Sequence, residues 1–108
     1  MPAFIQVIEY STSRRDEIDA HMAEWRERHP QMGPSRATVC AVRGAPGKYL
    51  SIIEFPSYED AMRNSADPAT QEFAAFMASV CDGPPVFHDL DVLQTEIRIE
   101  PSAARTQV

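Results

Sequence analysis

The sequence predicts a small α+β domain of order β-α-β-β-α-β. Three observations predict it. The chain has 108 residues, one domain's worth. Strand-like and helix-like runs follow one another in that order, with the second helical region broken in two. The first and third strands are apolar on both faces, which suits central positions in a sheet.

Phe4 to Tyr10 is a β-branched and aromatic run and forms the first strand. Phe4, Ile8 and Tyr10 share one face, Ile5 and Val7 the other. Ser13 to Asp16 has the character of a capping box, so a helix is expected from about Arg14 to Arg28. Its apolar stripe is Ile18, Met22 and Trp25. Arg14, Arg15, Arg26 and Arg28 alternate with acidic residues along a solvated face. Pro30 ends the helix and Gly33-Pro34 is loop. Ala37 to Arg43 and Tyr49 to Phe55 are two strands joined as a hairpin through Gly44 to Gly47. Ser57 caps a short helix ending near Asn64-Ser65. Asp67-Pro68 starts another, with Asp as cap and Pro in the first turn. Phe73, Phe76, Met77 and Val80 are its stripe, and Asp82 to Pro85 stop it. Val86 to about Ile97 is the last strand.

This is the split-βαβ, ferredoxin-like pattern. Right-handed crossovers give the antiparallel sheet the order 4-1-3-2, with helices on one face. The other face is apolar and has no helix left to cover it, so a homodimer is expected. Residues 1–99 are read as one domain. Residues 100–108 are read as a flexible tail, with the chain after about Pro101 dispensable.

Composition excludes several classes. The formal net charge of −6 and the lack of a basic stripe argue against a nucleic-acid partner. The apolar runs are too short to span a bilayer. Cys40 and Cys81 form no close pair in sequence, so two free thiols in a reducing cytoplasm are expected. No nucleotide, serine-hydrolase or zincin motif occurs, and no His/Cys cluster has metal-ligand spacing. No cofactor or metal is expected, and any chemistry must use isolated side chains in a pocket.

Phe4 to Ile8, Tyr58 to Ser65 leading into Asp67-Pro68-Ala69, and Phe87-His88-Asp89 resemble the dimeric α/β-barrel superfamily, in particular antibiotic-biosynthesis-monooxygenase-like proteins. The resemblance spans about residues 3 to 95. It implies a cofactor-independent monooxygenase acting on an aromatic or polyketide-like small molecule. A binding or accessory module of the same fold, or an isomerisation or cyclisation, are the alternatives. The haem-degrading branch of the superfamily uses an Asn on the first strand and a His on the last helix. Here Gln6 occupies the first strand and no His lies between Pro68 and Asp82, so haem ligation is not expected.

The candidate site residues follow. His88 is the candidate general base: it falls on the more apolar face of the last strand, with Val86, Leu90 and Val92. Gln6 lies beside it if the register allows. Asn64 and Ser65, at the expected break between helices, and Gln6 are candidate substrate-binding groups. Trp25 is core and candidate pocket wall, next to His21 and His29 on its helix. Glu9 and Glu54 are central-strand carboxylates, and Asp89 and Asp91 are expected to face solvent.

Overall fold

The computed structural model describes residues 3–98. Four strands and three helices follow in order: β1 Phe4–Ser11, α1 Arg15–Arg28, β2 Arg36–Ala41, β3 Lys48–Phe55, α2 Tyr58–Ala66, α3 Pro68–Val80 and β4 Val86–Asp91. The strands pair antiparallel in the order β2-β3-β1-β4. This is the expected ferredoxin-like sheet, with β1 and β3 central. The tail expected over residues 100–108 lies outside the described residues.

Register assigns the two faces. Phe4 pairs with Phe55, and Tyr10 with Tyr49. These side chains stand on the face that carries the helices, because directly opposed residues share a face. The core on this face is divided. Phe4, Phe55 and Ala61 form one cluster, joined by Ile53 and Met62. Tyr10, Ile18 and Val80 form the other, joined by Ile8, Tyr49, Phe76 and Met77. The opposite face carries Ile5, Val7, Leu50, Ile52, Val86 and Leu90. We call it the open face, since all three helices lie on the other side.

Three local expectations need correction. The capping box at Ser13 does not form: Arg14 is the first cap position and has no side-chain cap bond. Instead Thr12 Oγ1 accepts the Arg14 N–H at 2.9 Å and donates to the Val80 carbonyl at 2.7 Å. Asn64 and Ser65 lie within α2, and the break is the single residue Asp67. Its carboxylate accepts the Ala69 N–H at 2.9 Å, with Pro68 starting α3. Last, β4 ends at Asp91 rather than near Ile97. Asp91 pairs with Phe4, the first residue of β1, and Val92 then bonds the Ala3 carbonyl. Beyond that point β1 offers no partner, and Leu93 and Ile97 are exposed.

Cys40 and Cys81 are both free. Among the described residues no helix is long and apolar enough to cross a membrane.

Candidate functional site between the two core clusters

Between the two clusters the helix-side face of β1 carries Gln6 and Ile8, both only partly buried. Gln6 stands there, opposite Ile53 on β3 and Asp89 on β4. Its side-chain amide donates to Asp89 Oδ1 at 2.9 Å. Ser51 and Gln6 remain partly exposed, and Asp89 is exposed. Phe87, on the same face, is 55% exposed. This stretch of the sheet thus carries a polar pair, a carboxylate held by an amide, with an exposed aromatic ring beside it on β4.

The roof comes from α1 and α3. Ile18 and Trp25 are buried on the inner stripe of α1. The Trp25 indole N–H donates to the Ala69 carbonyl at 3.1 Å. Phe73 lies 6.1 Å from Trp25 and 5.5 Å from His21.

Next to this roof, the α1–β2 loop and α2 enclose an open concavity of about 440 Å³. Gly33, Pro34, Phe55, Asp60, Asn64 and Asp67 line it. Gly33 has a φ of 104°, a left-handed conformation that glycine adopts without steric cost. Its Cα packs against Trp25: a Cβ there would meet the indole at 3.8 Å. Arg63 pairs with Asp60 at the rim.

The structure therefore brings Trp25 and Asn64 to one end of the helix layer. Ser65 is exposed and is not among the residues lining this concavity. Gln6 lies on the sheet beneath. His88 is separated from all of them. It pairs with Val7, whereas Gln6 pairs with Asp89, so the sheet stands between His88 and Gln6. The expected proximity of these two does not occur.

On the open face His88 Nε2 lies 2.9 Å from Glu9 Oε2. The hydrogen bond from His88 holds the Glu9 carboxyl below its ordinary value of 4.5, and attraction to Lys48 adds to this. A depressed carboxyl pKa stabilises the fold above the unfolded value, and that contribution is lost as pH falls through the folded one. Glu9→Gln is therefore expected to flatten the acid limb of stability below about pH 4.5. Both side chains are half-exposed, so the effect is small and shrinks with salt. Thermal unfolding at about pH 3 and about pH 6, in low and high salt, measures it. An acid limb identical in the variant would show that the pair contributes nothing. The other central carboxylate, Glu54, pairs with Arg36 at 3.5 Å on the same face.

Asp89 is exposed, as expected, and it lies on the helix-side face with Gln6. Strand alternation gave its parity; only the register places it across from Gln6. Among the described residues no group of three His, Cys, Asp or Glu side chains converges to hold a metal ion.

Comparison with solved structures agrees with this fold. The chain is similar to SnoaB, a cofactor-independent oxygenase from Streptomyces nogalater, with a TM-score of 0.70 and 17% identity over 88% of this chain and 97% of that one. It is similar to an antibiotic biosynthesis monooxygenase, with a TM-score of 0.66 and 12% identity over 84% and 99% of the two chains. A Mycobacterium tuberculosis protein gives 0.68 and 11%, over 86% and 97%. No family model and no curated protein matches the sequence. At these identities the likeness establishes the fold, and it is the fold that the sequence resemblance implied.

Proposed function

We propose that this protein is a cofactor-independent monooxygenase of an electron-rich, hydroxylated aromatic molecule, working as a homodimer. The observation that carries the reading is the exposed Gln6–Asp89 pair on the helix-side face of the sheet, in a fold shared with SnoaB. A flat ring system would lie over this pair, against the exposed Phe87 ring. Asp89 takes the substrate proton and Gln6 orients the oxygen that loses it. The resulting anion is electron-rich enough to react with molecular oxygen. For a ring methylene flanked by aryl groups, two hydrogens leave, one oxygen atom enters as a carbonyl and the other departs as water. Trp25 walls one end and Asn64 lies at the adjoining mouth. His88, on the other face, belongs to the surface that pairs with a second subunit.

The test is oxygen uptake with 1,8-dihydroxyanthrone in metal-free and flavin-free buffer. Uptake above the spontaneous rate is expected, with a loss of about 10²-fold in Asp89→Asn. Binding of the compound without uptake would overturn the catalytic reading and leave a binding module, which the open access to Asp89 favours.

A further inference from the structure

The two most exposed large apolar side chains of the described residues stand just beyond the sheet, Leu93 at 95% and Ile97 at 80%. They belong to a run with the alternation of a half-buried strand. Leu93, Thr95 and Ile97 fall on one side, Gln94 and Glu96 on the other, a period of two. The Gln94 side-chain amide donates to Glu96 Oε1 at 2.6 Å, and positions i and i+2 meet in this way on one face of an extended chain. The pattern and the contact are those of a strand, yet no ladder forms. The last bond is the one from Val92 to the Ala3 carbonyl, and β1 starts at Phe4.

The same subunit offers this arm no edge. Residues 92–97 contain no Gly, Pro, Asn or Asp to turn the chain back along β4. The β2 edge of the same sheet lies on its far side, beyond β1 and β3. A second copy of the chain presents the same two edges, and their chemistry differs. β4 carries Asp89 and Asp91, which would stand beside Glu96 as like charges. β2 is bounded by Arg36 and Arg43, with no acidic residue between Ser35 and Arg43. Its residues are exposed apart from Cys40, and Val39 is 46% exposed. The Val42 N–H donates to the Lys48 carbonyl at 3.0 Å. Antiparallel alternation then turns the backbone N–H and C=O groups of Ala37, Val39 and Ala41 away from β3. A row of such groups is a template for another strand.

We propose that residues 93–97 are an exchange arm that adds as an antiparallel strand to the outer edge of β2 in a second copy of this chain. The inference rests on the homodimer proposed above and names a further contact within it. Five extended residues reach about 17 Å, and packed sheets lie about 10 Å apart, so a copy seated on the open face is within range. Main-chain bonds to β2 supply the attachment, and the alternate side chains of the arm supply its selectivity. Each arm reaches the other copy's edge, which closes the exchange at two subunits.

Cys40, partly exposed on β2, is the reporter. Its backbone groups turn toward β3, so an added strand meets it at a non-hydrogen-bonded site with opposed Cα atoms about 4.5 Å apart, within the span of a disulfide. Leu93→Cys, Gln94→Cys, Thr95→Cys, Glu96→Cys and Ile97→Cys are each made in full-length Cys81→Ser protein and oxidised with copper phenanthroline at micromolar concentration. At least one is expected to give a disulfide-linked dimer, and adding Cys40→Ala is expected to abolish it. Leu93→Ser combined with Ile97→Ser should raise the dimer dissociation constant at least tenfold in sedimentation, with circular dichroism unchanged. Cross-linking at none of the five positions, or cross-links that survive Cys40→Ala, would overturn the proposal. The outcome is separable from the homodimer: a parent that sediments as a dimer but yields no Cys40-dependent cross-link keeps its open-face contact and loses the arm.

Discussion

Replacing Thr12 by Val is expected to remove about 2–4 kcal/mol of stability, the largest loss from any single conservative change we foresee in the described chain. Thr12 is 2% exposed, and Val has nearly its shape, so no cavity opens. What changes is hydrogen bonding. The Val80 carbonyl at the end of α3 loses its 2.7 Å donor, and the Arg14 N–H at the start of α1 loses its 2.9 Å acceptor. Each buried group left unpaired costs about 1–3 kcal/mol. Arg14 is exposed and its N–H recovers water, which places the sum in the lower part of that range. The backbone of Thr12 is also fixed, its N–H donating to the Gly47 carbonyl at 2.9 Å. One residue thus joins β1, α1, α3 and the β2–β3 turn. With about 4–8 °C per kcal/mol for a domain near this size, the melting temperature should fall by at least about 8 °C. Thr12→Ser keeps the hydroxyl and loses one methyl group, about 1 kcal/mol. Urea unfolding of both variants measures the difference. A Val variant as stable as the Ser variant would show that these bonds are not what Thr12 contributes.

Thr12 also marks what the sequence could not show. Its partner carbonyl lies 68 residues away, so no local pattern announces it, and the neighbouring Ser13 imitated a cap. The order of elements was legible because each is a local signal: Asp67-Pro68 starts a helix wherever it stands, and handedness then orders the strands. The site was less legible. Alternation places Gln6 with Phe4 and Ile8, and His88 with Val86 and Leu90. It does not say which set of one strand faces which set of the next. A slip of one residue exchanges every side chain between faces, and the register pairs Gln6 with Asp89 rather than setting it beside His88. His21 reads as a surface histidine beside the Ile18–Trp25 stripe until α3 brings Phe73 and Phe76 against it.

The open face of the sheet leads to the second large effect. At micromolar concentration the protein is expected to sediment as a dimer, and Ile52→Asp as a folded monomer. Ile52 lies at the middle of β3, opposite Val7 on one side and Thr38 on the other. Ile5, Val7 and Leu50 surround it, and Val86 and Leu90 continue the apolar surface along β4, 52% and 45% exposed. Charged groups flank the centre of this face. Arg36 and Glu54 pair at one end; Glu9 and Lys48 stand toward the other, and His88 lies at the lateral edge on β4, in the row of Ile52 and Val7. An apolar centre within a charged rim is the composition of a protein interface. Both signs occur in the rim, so a two-fold axis can set each against its opposite. In such a dimer the axis brings two copies of any substitution on this face into one interface. A carboxylate at position 52 would lose its water there without gaining a partner, twice per dimer. A penalty of about 3 kcal/mol already weakens association by more than about 100-fold, enough to dissociate a dimer held at micromolar strength. The monomer should keep its circular dichroism, because position 52 faces away from both core clusters. Phe87→Asp, on the helix side of the sheet, is the control and should leave the sedimentation unchanged. A parent protein that sediments as a monomer, or an Ile52→Asp variant that remains dimeric, would mean that this face is not the interface.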